Sequence, residues 1–138
     1  METNEVRVYF ALFGDEFDPK GVTDIIGVQP TSIMVKGSKI PGKVPVGSGW
    51  FYSSENIKQD SIDVFEMAKN ISDFLEPSKE KIIRAINKFD LSPRLEVVMW
   101  LSNDDSVSTP ALGFEPETIK FLSDVGAFID IDSYKHES

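Results

Sequence analysis

Two segments of the chain alternate residue by residue between core-type and other side chains, and this pattern constrains the fold most. The first has Val6, Val8, Phe10 and Leu12 at every second position, and the second has Leu95, Val97, Met99 and Leu101. A period of two residues predicts a β-strand with one face toward a core. Because helical patterns lie between these segments, we expect a sheet on which helices pack.

Capping residues and prolines mark the predicted helices. Asp18-Pro19 is typical of a helix start, and Gly27 is placed to end that helix. Pro77 separates two further helices, and a last helix begins at Pro116 and stops at Gly126.

Shorter strands are predicted over 32–36, 50–52 and 128–134, which gives the order β-α-β-β-α-α-β-α-β. The fold class is therefore α+β, with a mixed, mainly antiparallel sheet and helices packed on it. The 138 residues fit a single domain over 1–138. A segment rich in Gly, Pro and Lys over about 37–49 predicts a flexible surface loop, and about 135–138 predicts a frayed tail.

The chain contains no cysteine. Disulfides, thiolate zinc sites and cysteine nucleophiles are therefore excluded, and the composition fits a reducing compartment. The first residues form no secretory leader, and no apolar run approaches the roughly 18 residues of a membrane span. A cytoplasmic location is the expectation.

Acidic residues outnumber basic ones, with 23 Asp and Glu against 14 Lys and Arg and a formal net charge of −9. Nucleic acids and anionic membrane surfaces are bound through basic side chains, so this balance argues against both. A basic protein partner suits it better, because complementary charge speeds association. The alternative is that the charge only maintains solubility.

No catalytic centre is recognisable. The run Gly37 to Lys43 has the spacing of a phosphate-binding loop, but Val44 stands where such a loop needs Ser or Thr. His136 is the only histidine and lies in the predicted tail, so a fixed catalytic partner is not expected. The sequence predicts no enzyme, no cofactor and no metal site.

The loop after the first strand contains Asp15, Glu16 and Asp18. Grouped carboxylates suit acid–base chemistry or a divalent cation. The simpler interpretation is that Asp18 caps the helix and the other two are solvated.

The second face of the strands forms another candidate surface. The alternation places on it the candidate binding residues Tyr9, Trp100, Asp130 and Asp132, with Glu96, Val98 and Phe128 beside them. Aromatic and acidic side chains together suit a recognition surface, unless a helix or the long loop covers them. Trp50 is a further candidate, next to the 37–49 loop.

The run Phe13 to Pro19, followed by Ile25 to Thr31, resembles the start of an uncharacterised, largely bacterial family, the domain of unknown function 4279. The resemblance continues through Gly49-Trp50 and the two helices around Pro77 to the segment from Ala127 to Tyr134. It depends on several short pieces spread over nearly the whole chain. It implies no activity and no site residues, because none is established for the family.

Three hypotheses follow. The first is a non-enzymatic protein-binding module, such as an immunity protein that neutralises a basic toxin. The second is a small-ligand or peptide-binding domain in which the 37–49 loop closes over a pocket near Trp50. The third is an enzyme that uses Asp15, Glu16 and Asp18. The oligomeric state is not determined by the sequence.

Overall fold

A computed structural model describes residues 3–38 and 46–136. Within these residues lie six strands, four α-helices and one 3-10 turn, at Glu76–Ser78. In chain order the main elements are β1 Asn4–Gly14, α1 Pro19–Ile26, β2 Ser32–Met34, β3 Ser48–Ser53, β4 Ile57–Gln59, α2 Val64–Leu75, α3 Lys79–Phe89, β5 Ser92–Leu101, α4 Pro116–Val125 and β6 Phe128–Lys135.

The strands form one mixed sheet in the order β2-β3-β1-β5-β6. β4 pairs with the beginning of β1, and β3 pairs with the end of β1. Every pairing is antiparallel except that of β5 with β6, which is parallel. The predicted α+β class with a mixed, mainly antiparallel sheet is therefore confirmed.

The hydrophobic core lies between one face of the sheet and the helices. The strand residues of the buried cluster are Val6, Val8, Phe10 and Leu12 of β1, Trp50 of β3, and Leu95, Val97 and Met99 of β5. All four helices contribute to the same cluster, for example through Val22, Ile71, Ile82 and Phe121. Since neighbouring side chains of a strand point to opposite faces, the helices cover one face.

Local capping sets the helix boundaries as the sequence predicts. Asp18 accepts a hydrogen bond from the backbone N–H of Lys20 at 3.0 Å, and α1 ends at Gly27, which has a φ of 77°. Gly126 ends α4 with a φ of 75°. No helix in the described part of the chain has both the length and the apolar character of a membrane span.

We expect Gly126→Ala to lower the free energy of unfolding by about 1 kcal/mol, because a Cβ disfavours the left-handed conformation. Nothing lies within 4 Å of the added Cβ, so steric clash does not contribute. Urea denaturation measures the change. Ser123→Ala, at an exposed position in α4, is the control and is expected to change stability by only a few tenths of a kcal/mol. Equal losses in the two variants would contradict the interpretation.

Some boundaries differ from those that the sequence predicts. β4 was not predicted, because its three residues include only one apolar side chain, Ile57. β5 begins at Ser92 and includes Pro93, whereas β6 pairs with β5 only from Arg94 onward. The missing N–H of Pro93 therefore leaves no gap in the β5–β6 ladder.

Two predicted flexible segments are only partly described. β3 begins at Ser48, inside the predicted loop, and residues 39–45 of that loop lie outside the described residues. β6 continues to Lys135, and the backbone N–H of His136 donates to the carbonyl of Leu101 at 2.9 Å. Residues 137–138 of the predicted tail also lie outside the described residues.

Candidate functional site

The face of the sheet opposite the core, which we name the open face, has an unusual mixture of side chains. Antiparallel sheets with one free face normally place polar residues there. Here the register aligns Tyr9 of β1 with Glu96 of β5, and Glu96 with Asp130 of β6. None of the residues in this row belongs to the core cluster that contains the helices.

Three carboxylates converge on the open face, and we name Glu96, Asp130 and Asp132 the acidic cluster. One carboxylate oxygen of each residue lies within 4.8 Å of those of the other two. The parallel pairing of β5 with β6 brings Glu96 beside Asp130, and the two-residue period places Asp132 on the same face. The cluster therefore depends on the pairing of two strands that are far apart in the sequence.

Glu96 is the buried member of the acidic cluster. The residue is only 5% exposed, and none of the described residues donates a hydrogen bond to its Oε2. Burial, followed by hydrogen bonding with Asp130 and the negative charges of Asp130 and Asp132, raises the pKa of Glu96 from 4.5 to about 8. At neutral pH the cluster therefore retains a proton when nothing else is bound.

The basic residues of the open face do not pair with the acidic cluster. The guanidinium of Arg94 lies 4.3 Å from the ring centroid of Phe13 and 4.8 Å from that of Phe128. Arg7 lies over the ring of Tyr9 at 5.3 Å. Among the described residues, no Lys or Arg nitrogen lies within 4.0 Å of a carboxylate oxygen of the cluster.

Aromatic rings lie on both sides of the acidic cluster. Tyr9 contacts Phe51 edge to face, with 5.8 Å between the ring centroids. On the other side Trp100 stacks on Tyr134 at 6.2 Å, and the residue Tyr134 is 53% exposed. A depression of about 220 Å³ next to Tyr9 is lined by Arg7, Tyr9, Ser32, Phe51 and Ser53. The open face therefore combines large rings, a concave region and concentrated negative charge.

This arrangement is suited to binding a cation. Oxygen ligands from three carboxylates can surround one positive group, and aromatic rings attract cations through their faces. Among the described residues, the acidic side chains that are close enough to share one ion are those of Glu96, Asp130 and Asp132, and not those of the loop after β1.

Of the predicted binding residues, Tyr9, Trp100, Asp130 and Asp132 lie together on the open face. Trp50 does not, and its assignment to a binding pocket requires correction. Its register partner is Leu12, so it points into the core, where it is fully buried. Its Nε1–H donates to the hydroxyl of Thr23 at 3.0 Å. Trp50 therefore joins β3 to α1 and offers no surface to a ligand.

Asp15 and Glu16 are exposed in the loop that follows β1. Asp15 accepts a hydrogen bond from Lys36 Nζ at 3.1 Å, with its side chain 84% exposed. Asp18 caps α1, as the simpler interpretation expects. These carboxylates do not come together as a site.

The sequence placed Glu96 beside the candidate binding residues without counting it among them, although it is the centre of the acidic cluster. The sequence carried a partial signal, since a glutamate interrupts the apolar run from Leu95 to Trp100. Its importance depends on burial and on the neighbouring β6, which only the folded sheet establishes.

Comparison with known protein families gives a match to a family described as a domain of unknown function (DUF4279), over residues 4–136. The chain belongs to this family. The resemblance to this family that the sequence indicated is therefore confirmed over essentially the whole chain. No curated protein and no solved structure matches this chain significantly. The family description supplies no evidence of catalysis.

Proposed function

We propose that this DUF4279 domain is a non-enzymatic protein-binding module that binds a basic partner through its open face. The observation that carries the proposal is that the acidic cluster and large aromatic rings lie side by side on a face that no described helix covers. Tyr and Trp are enriched at the energetically important positions of protein interfaces. The net charge of −9 gives long-range attraction for a basic surface.

An immunity protein that neutralises a basic toxin is the specific form of this proposal. Such a protein needs a rigid surface complementary to its target and no active site of its own. A sheet supported by four helices supplies rigidity, because the residues of the open face are fixed by strand pairing. A cytoplasmic location, which the lack of cysteine favours, stays a prediction.

The experiment is capture of partners from native lysate, including the products of adjacent genes, by the tagged protein at low and high salt. We expect one basic protein that is retained at low salt and released near 1 M salt, where the Debye length is about 3 Å. Asp130→Asn combined with Asp132→Asn is expected to weaken binding at least tenfold, because paired interfacial charges cost ~2–5 kcal/mol when truncated.

The control variant combines Asp24→Asn with Asp60→Asn. It removes the same two charges at exposed positions outside the acidic cluster, in α1 and after β4. If general charge alone attracts the partner, both variants lose the same affinity, and the open face is not the interface. Failure of the wild-type protein to retain any basic partner contradicts the proposed function itself.

The small-ligand hypothesis has less support. It placed a pocket near Trp50, which is fully buried, and a lid at 37–49, of which residues 39–45 lie outside the described residues. The enzyme hypothesis used Asp15, Glu16 and Asp18, which do not form a group.

A further inference from the structure

We propose that the acidic cluster is the receptor site for a single primary ammonium group, supplied by a lysine side chain of the basic partner. This inference builds on the proposed function and names the chemical group that the open face recognises. It assigns Glu96, Asp130 and Asp132 as the three acceptors.

The first support concerns one oxygen of the buried Glu96 carboxyl group, Oε2. The residue is only 5% exposed, and its Oε2 has no hydrogen-bond donor in the described chain. A buried polar atom without a partner is costly and rare in native proteins, so it indicates a missing partner. The carboxylate of Glu96 lies within 4.8 Å of the nearest oxygens of Asp130 and Asp132, so one donor group can reach all three.

The second support is that no Lys or Arg of the described residues forms an ion pair with the acidic cluster. Arg94 is held between Phe13 and Phe128, and Arg7 lies over Tyr9, so both guanidinium groups are engaged with rings. The ion pairs found in the described residues involve other carboxylates, such as those of Asp73 and Asp124. An external cation is therefore the group that fits.

The geometry favours an ammonium over a guanidinium. An ammonium nitrogen has three donors directed at tetrahedral angles, and hydrogen bonds of about 2.8 Å place their acceptors roughly 4.6 Å apart. The three oxygens of the cluster lie no more than 4.8 Å apart, so side-chain rotation can bring them to this spacing. A guanidinium instead presents a planar fork that matches the two oxygens of one carboxylate, so three separate carboxylates would use it poorly.

The residues next to the acidic cluster also suit the rest of a lysine side chain. Tyr9 is aligned with Glu96 and can face the cation, while Val98 and Trp100 continue the same face of β5. Lysine buries its long alkyl stem on apolar surface while its charged end reaches polar groups. A divalent ion is the competing occupant, since oxygen ligands at 2.3–2.6 Å also suit Ca²⁺.

The test is an NMR titration of isotope-labelled protein with four probes: Nα-acetyl-lysine methylamide, the matching arginine derivative, CaCl₂ and MgCl₂. We expect the lysine derivative to shift the side-chain signals of the acidic cluster and to bind at least about fivefold more tightly than the arginine derivative. Glu96→Gln is expected to weaken this binding at least about tenfold, because the amide cannot release a proton and become a charged acceptor for the ammonium group. Glu55→Gln, at an exposed position outside the cluster, should leave it unchanged.

Several results would overturn the inference. Equal or tighter binding of the arginine derivative removes the ammonium preference, and tighter binding of Ca²⁺ or Mg²⁺ makes the cluster a metal site. No shift at the cluster, or unchanged binding by Glu96→Gln, excludes the site. If Glu96→Gln does not fold, Asp130→Asn combined with Asp132→Asn takes its place with the same expected loss.

The two proposals can fail separately. If the lysine derivative binds at the cluster but no basic protein is captured, the ammonium site stands and the protein-binding function is wrong. If a basic protein is captured with an affinity that Glu96→Gln leaves unchanged, the function stands and the ammonium site is wrong.

Discussion

Replacement of Trp50 by alanine is expected to lower the free energy of unfolding by about 3–5 kcal/mol, as for other large buried aromatic residues. Trp50 is fully buried, and its indole N–H is bonded to Thr23 at 3.0 Å. The substitution opens a cavity between β3 and α1 and removes that hydrogen bond. Because domains of this size are stable by only ~5–15 kcal/mol, the variant is expected to be partly unfolded under mild conditions.

The matched control is Trp100→Ala, which removes the same side chain from the open face. Trp100 is half-buried and stacks on Tyr134, so we expect a loss of about 1 kcal/mol. Circular dichroism during urea denaturation measures both variants without depending on tryptophan fluorescence. Similar losses for the two substitutions would show that Trp50 is not a core residue and would return it to the candidate binding residues.

The second large effect is a dependence of stability on pH that arises at Glu96. Its pKa is raised in the folded protein to about 8 from 4.5, chiefly by burial and then by Asp130 and Asp132. The folded state therefore keeps a proton that the unfolded state releases above about pH 4.5. The free energy of unfolding falls as pH rises from about 4.5 to about 8, by at most ~1.4 kcal/mol per pH unit.

Burial, Asp130 and Asp132 set the size of this effect, and other charged and titratable groups also share the open face with Glu96. These other groups are Tyr9 and Arg7 on β1 and Arg94 on the same strand as Glu96. Burial and the charge of Glu96 also raise the pKa of Tyr9. Glu96→Gln cannot ionise, so it should lose the dependence, be more stable than the wild type at pH 8 and be nearly equal to it at pH 4.5.

Urea denaturation of the wild type, Glu96→Gln and Glu55→Gln at several pH values checks this expectation. Only the difference between the wild type and each variant is interpreted, because the other acidic residues also respond to pH. Glu55→Gln should follow the wild type, since residue 55 is exposed. If Glu96→Gln also follows the wild type at every pH, the raised pKa of Glu96 is wrong.

A gain in stability for Glu96→Gln together with a loss of lysine binding would separate folding from recognition at one residue. Binding sites often retain groups that do not stabilise the fold, because those groups are arranged for a ligand. The Glu96 carboxyl group, whose Oε2 is buried without a hydrogen-bond partner in the described chain, is such a group.

The sequence by itself determined the elements whose signals are local. The alternation around Phe10 and Val97 predicted two strands and their buried faces, and the capping pattern from Asp18 to Gly27 predicted α1. These signals are reliable because a strand repeats every two residues and a cap lies within one turn of its helix. The same alternation also placed Tyr9, Trp100, Asp130 and Asp132 on one face.

Only the tertiary structure decided which strands are neighbours, and that decided the site. The parallel pairing of β5 with β6 brings Glu96 next to Asp130 and Asp132. The aligned residues Glu96 and Asp130 are 34 residues apart in the sequence. Pairing with Leu12 turns Trp50 into the core, and pairing with Asn4–Val6 creates β4 from a mostly polar segment. The burial that raises the pKa of Glu96 comes from such contacts between distant segments, which no local pattern of residues encodes.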